Sequence, residues 1–226
     1  MRRRSGVAGM TILATVATWS VSAARGQGGP AYATSDFVLV GGSGGGFPSP
    51  ASPHTHTFAG AGGGAVQLSS SGSLVIRASG VISAVRCGAP APAPGSVGGG
   101  GSGGMIAVEA ARIKLEPGAT LSANGGGGSS GRTADIERLA APGERGRRDA
   151  TPAKGGGEGA WCSGGKGGAL DGAATAGKES CDGGSATIRI SAGGGGASGR
   201  IVFVSNVLGR EGAVISPTAE SLKLSN

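Results

Sequence analysis

Aromatic side chains are nearly missing from this sequence: two Trp, one Tyr and four Phe in 226 residues, or 3%. A broad core built on large rings is excluded, and so are the stacked aromatic platforms that sugar-cleaving clefts commonly use. Whatever core exists is aliphatic and narrow. Histidine is almost as scarce. His54 and His56 lie on one side of an extended segment with no carboxylate or thiol beside them. Two ligands are too few for a defined metal site, so both read as loop residues. Acidic residues do not cluster either. Glu109, Glu116 and Glu211 stand apart on the β-prone segments, whereas glycoside hydrolysis needs two placed carboxylates and a lyase needs a base beside a cation or metal. Asp171 and Asp182 lie near glycines but lack the tandem Gly-Gly-x-Gly-x-Asp phrase of a calcium β-roll. No Gly-Lys-Ser/Thr closes a glycine string, which excludes a phosphate loop, and the arginines do not form Arg-Gly-Gly series with aromatics. No catalytic residue, metal site or cofactor is therefore assigned, nucleic acid is not an expected partner, and the chain is read as no enzyme.

There are three cysteines. Cys162 and Cys181 share one glycine-rich loop, and a bridge between them closes about 20 residues, worth about 3 kcal/mol by chain entropy. That pairing leaves Cys87 as a free thiol. Neither histidine is near a cysteine in sequence, so no nucleophilic thiol is inferred.

What the chain has in quantity is glycine, 51 residues of it. Between the glycine strings one phrase returns. Residues 101–128 contain two short runs of alternating apolar and polar residues, 105–109 and 112–116, a turn at Pro117-Gly118, a third run at 120–122 and a polyglycine exit. Period-two alternation is the signature of half-buried strands. Residues 62–84 lay onto this unit with Val66 on Ile106, Leu68 on Val108, Leu74 on Ile113, Ile76 on Leu115 and Ile82 on Leu121. Residues 198–217 do the same, with Ile201 on Ile106, Phe203 on Val108 and Ile215 on Leu121. Such a unit cannot bury its apolar side alone, but stacked copies make one continuous thin core. The expected fold is all-β, a glycine-rich parallel β-solenoid with long Gly-rich loops; an antiparallel β-sandwich is the alternative. For the glycine tracts two readings stand open, a mobile Gly/Ser loop and packed extended polyglycine strands, which only glycine permits.

The N-terminus carries a basic start (Arg2, Arg3, Arg4), an apolar stretch from Val7 to about Val21 and small residues Ser22, Ala23 and Ala24, the parts of a secretory signal. The apolar stretch is too short to span a membrane, and no transmembrane segment is expected in the mature chain. Residues 1–26 are thus read as a leader, 27–59 as a Gly/Pro-rich lead-in, 60–217 as the β domain and 218–226 as a polar tail. The formal charge of +7 drops by three when the leader arginines leave. Much of the remaining charge lies in the insert 130–154. There Arg138, Arg145, Arg147, Arg148 and Lys154 alternate with Asp135, Glu137, Glu144 and Asp149, which reads as a solvated loop.

Taken in order, GGSGGG, GAGGGAVQL, GSGGMIAVEA, LSANGGGG and GASGRIVF resemble a family of glycine-rich exported proteins found in myxobacteria and their relatives. The match runs from about Tyr32 to Pro217. The resemblance implies a secreted or surface-associated β-solenoid-like domain and carries over no site residue and no ligand. Longer members of that family carry a further β-rich region ahead of the glycine-rich part, and the resemblance leaves two readings of this sequence open, a short paralogue or a gene model without the first stacked units. The functional expectation is an exported structural or adhesive protein of the cell surface or extracellular matrix. Its expected partners are envelope or matrix components, polysaccharide, and further copies of itself. An extracellular polysaccharide-binding or polysaccharide-cleaving β-helix protein is the alternative.

Overall fold

The computed structural model describes residues 39–46, 58–91, 97–131, 141–157, 162–170, 172–178, 181–182, 189–190 and 192–223. Among these the chain is all-β, with no helix. One parallel sheet holds β1 (Ala65–Ile76), β3 (Met105–Leu115), β7 (Arg200–Val204) and β10 (Glu220–Leu222) in that order, with β8 (Val207–Gly209) also on β3. A second parallel sheet holds β2 (Val81–Ser83), β4 (Thr120–Ser122) and β9 (Val214–Ser216). The short pair β5 (Cys181–Asp182) and β6 (Arg189–Ile190) is antiparallel. The two larger sheets are parallel throughout, so the antiparallel sandwich does not describe them.

The partners within these sheets are the residues that align in sequence. Val66, Ile106 and Ile201 sit side by side, as do Leu68, Val108 and Phe203, then Leu74, Ile113 and Leu208, and finally Ile82, Leu121 and Ile215. These apolar ladders form the main core. The inward apolar side chains of the middle strands, Ile106, Val108, Ile113 and Leu115 on β3 and Leu121 on β4, are almost wholly enclosed, whereas Val66, Leu74, Ile82, Leu208 and Ile215 on either side are partly buried. The two runs 105–109 and 112–116 join as one strand, β3. Its inward set shifts from Ile106, Val108 and Ala110 to Ile113 and Leu115, so the alternation slips by one residue at the bend. The turn after β3 needs a glycine at position 118, where φ is +93° and a Cβ would stand 3.1 Å from the Ala78 carbonyl.

Each stack of strands continues at its ends into glycine-rich strands that pack as a lattice. The incoming strands 58–64, 97–104 and 192–199 run parallel, joined for example by Gly63 N–H to Ser102 O (2.8 Å) and Gly103 N–H to Ala197 O (2.9 Å). The outgoing strand 123–131 lies antiparallel to two of them and at the centre. Its donors turn through three directions: Gly125, Gly128 and Gly131 donate to Gly168, Gly165 and Cys162; Gly126 and Ser129 to Gly101 and Gly98; Gly127 and Ser130 to Glu144 and Ala141. Its carbonyls accept from three more strands, through Gly196 and Gly193, Ala89, and Gly156. Six neighbours thus surround one strand. A period of three belongs to the polyproline-II type of helix, whose backbone groups all point outward.

Spacing this close leaves no room for a side chain. A Cβ on Gly125, Gly126, Gly127 or Gly128 would fall 1.9 to 2.4 Å from a backbone carbonyl oxygen of a neighbouring strand. The lattice therefore decides between the two readings of the tracts in favour of packed strands. It also takes in part of the insert 130–154: Gly143 and Gly146 donate to the Ala89 and Arg86 carbonyls, and Ala153 is fully buried. The insert's described charged side chains, Glu144, Arg145, Arg147, Arg148, Asp149 and Lys154, are exposed or half-buried, while its described backbone joins the lattice.

Gly127→Ala is expected to cost about 3 kcal/mol or more, since the obstructing atom is backbone, hydrogen-bonded and unable to turn aside. Gly72→Ala, on β1 with nothing within 4 Å of the added Cβ, should stay within about 0.5 kcal/mol of wild type. Chemical denaturation of the two variants measures the difference; equal losses would refute the close packing.

Candidate functional site

Sheets and lattice meet at a buried polar node. Asn124 lies two residues beyond the end of β4 and is fully buried. Its amide donates to the carbonyls of Arg147 and Asp149, both at 2.7 Å, and its oxygen accepts from the Ser216 hydroxyl at 2.8 Å. Ser216, at the end of β9, in turn accepts from Leu170 N–H at 3.0 Å. One asparagine thus binds the end of the second sheet, the charged insert and the 162–170 segment together. Buried amides persist where every group is satisfied, and here three of the four hydrogen bonds open to Asn are made.

The insert is folded by its own charges. Arg147 pairs with Glu144 at 3.1 Å and reaches the Thr151 hydroxyl at 2.9 Å, while Lys154 N–H donates to Glu144 at 2.8 Å. Thr151 gives both its hydroxyl and its amide to Asp149 Oδ1. The Thr151 hydroxyl, then the Thr151 amide, and to a lesser degree Arg147, hold the Asp149 carboxyl below its ordinary pKa. At the far side of the first sheet, Arg200 grips Glu220 with two bonds of 2.8 and 2.6 Å, which raise the Arg200 pKa and pin β10 against β7.

Two of the three acids weighed for catalysis have structural partners, and the third, Glu211, is exposed. Glu116 takes Arg77 at 3.0 Å and the Ala78 amide at 3.2 Å, bracing the turn between β1 and β2. Glu109 accepts from Ser69 at 3.4 Å. Among the described residues no three His, Cys, Asp or Glu gather as a metal site. His54, His56, Trp161 and Asp171 lie outside the described residues. Cys87 is an exposed free thiol on the glycine-rich strand 84–89. Cys162 and Cys181 flank neighbouring strands: Lys178 N–H donates to Ser163 O at 3.1 Å, and β5 opens at Cys181 three residues later. No helix among the described residues is long and apolar enough to cross a membrane. No protein-family model, curated protein or solved structure matches this chain.

Asn124 and Ser216 escaped the sequence reading. The available signal was a single amide residue between a strand and four glycines, a position where a loop has no need of one.

Asn124→Ala takes the donor from the Arg147 and Asp149 carbonyls and the acceptor from the Ser216 hydroxyl, and a loss of about 1 to 3 kcal/mol is expected in denaturant titration. Asn124→Asp should also destabilise, since its carboxylate would face the Arg147 and Asp149 carbonyls. For Asp149 the sign follows from its depressed folded pKa: the stabilisation is full above the ordinary carboxylate value and vanishes as pH falls through the folded one. Asp149→Asn should therefore melt slightly lower than wild type at neutral pH and together with it in strong acid. A gap that persists in acid would show that the Thr151 contacts do not depend on charge.

Proposed function

We propose that this chain is an exported parallel β-solenoid serving as a structural or adhesive element of the cell surface or extracellular matrix, without catalysis. The observation that carries the reading is the six-neighbour glycine strand at 123–131. A block whose interior consists of backbone hydrogen bonds has stiffness and shape as its main properties. The faces it offers are flat and poor in reactive groups, suited to lateral association or to contact with envelope polysaccharide. The stacked parallel sheets supply the axis along which such a block extends. The resemblance to glycine-rich exported proteins and the leader-like N-terminus support the same setting.

An oxidising compartment also gives the cysteines a role. We infer a Cys162–Cys181 bridge, supported by the Ser163–Lys178 backbone bond that draws their strands together. The bridge would close the loop that carries β5.

The test is the intact mass of the chain recovered from culture supernatant and from cell fractions, with free thiols alkylated before reduction. A chain short of about 24 residues, found outside the cytoplasm with Cys87 alone alkylated, is the expected result. A full-length chain in the cytoplasm with all three thiols alkylated would sink the proposal. Depletion of the exported chain by insoluble glycans, without release of new reducing ends, would identify polysaccharide as the partner.

A further inference from the structure

We propose that two copies of this chain join edge to edge through β1, antiparallel, about a two-fold axis at Ser71. The pairing deepens the structural role proposed above and rests on it for its biological setting.

β1 is twelve residues long and pairs, among the described strands, with β3 alone. Its other edge presents a row of backbone donors and acceptors. Sheet edges are commonly guarded by charge or proline, yet AVQLSSSGSLVI contains neither. The guarding residues lie elsewhere in the sheet: Glu109, Arg112 and Lys114 on β3, Arg200 on β7 and Glu220 on β10. The apolar core is open at this same end. Val66, Leu74 and Ile82 are only partly covered, while their neighbours Ile106, Ile113 and Leu121 are buried. At the other end β10 already lies along β7, held by the Arg200–Glu220 pair. A head-to-tail joint would meet that occupied edge. What remains is the same edge on both molecules, an isologous contact that closes at two.

The strand sequence suits such a contact. Counted outward from Ser71, Ser70 stands opposite Gly72, Ser69 opposite Ser73, Leu68 opposite Leu74, Gln67 opposite Val75 and Val66 opposite Ile76. An antiparallel pair centred at Ser71 thus sets Val66 over Ile76 and Leu68 over Leu74 on the inner face, and small residues over small residues at the bend. Each core would be capped by the other. The pair Gln67 and Val75, both exposed, falls on the outer face, where it can be changed without touching either core.

The measurement is the solution mass of the full chain over a concentration series by sedimentation equilibrium, with twice 21.3 kDa expected for the wild type. Gln67→Glu with Val75→Glu opposes like charges across the axis and should weaken dimerisation at least tenfold. Gln67→Lys with Val75→Glu opposes unlike charges and should restore it. Ser71→Cys in a Cys87→Ser background should give a reducible dimer under mild oxidation, since directly opposed residues of antiparallel strands have Cβ atoms about 4.5 to 5.5 Å apart. A monomeric wild type, as would result if residues before Leu39 cover β1, overturns the proposal. So does a dimer indifferent to both charge pairs, or a mass that grows past two. A dimer retained in the cytoplasm would remove the export reading alone, and an exported monomer would remove this pairing alone.

Discussion

Every non-proline residue brings one backbone donor and one acceptor, and how many neighbours can share them depends on how closely strands approach. With side chains present, a strand has two hydrogen-bonded neighbours. Where glycine predominates, the spacing tightens, and the strand 123–131, with glycine at 125–128 and 131, has six. This single constraint explains the composition. Where a neighbouring backbone stands against the Cα the residue must be glycine, and small side chains are admitted where the packing leaves a gap, as at Ala153 and at Ser43 and Ser102, whose hydroxyls meet at 3.2 Å. Aromatics are scarce because most of the interior is backbone, with no space to be filled by a ring.

Such an interior is held on narrow terms. Ordering a backbone residue costs about 1 to 2 kcal/mol, and glycine costs more than most. A net hydrogen bond returns about 0.5 to 1.5 kcal/mol. The lattice comes out near balance by itself, so something else must hold the strands in register. The apolar ladders do this. Each enclosed Ile, Leu, Val or Phe contributes about 1.5 to 3 kcal/mol, and because strands 58–64, 97–104 and 192–199 lead directly into β1, β3 and β7, the register fixed by side chains passes into the glycines. Asn124 does the same on the exit side, where β4 ends and the central strand begins. Sheets and lattice are in this sense one structure, with the specificity written in the first and the rigidity expressed in the second.

The same division accounts for what could be read from the sequence. Val66, Ile106 and Ile201 could be aligned because strands advertise their inward faces by alternation, and the partners found in the sheets follow that alignment. A string such as Gly125 to Gly128 carries no alternation and no face, so nothing in it separates a loop from a packed strand. The charged insert hid its packing for the opposite reason. Glu144, Arg145, Arg147 and Arg148 look solvated, and as side chains they mostly are, but the residues that matter for packing are Gly143 and Gly146 between them. Asn124 was hidden because two of its partners are backbone carbonyls, which leave no trace in sequence, and the third, Ser216, lies 92 residues away. The acids were legible only as dispersed: that Glu116 closes a turn and Glu220 clamps β10 depends on cross-strand neighbours such as Arg77 and Arg200.

The two ends of the stack differ, and the difference follows from where the chain places its charges. At one end a three-residue strand suffices to cover β7, because a bidentate ion pair holds it there. At the other, twelve residues without a charge leave both a hydrogen-bonding edge and part of the apolar ladder facing outward. A stack of identical layers would have no reason to differ in this way, since each layer meets the next through the same contacts. Asymmetry of this kind makes one end a terminus and the other a surface. Among the described residues the lattice beside it contributes few side chains, so the surface at that end is set mainly by β1 and β2.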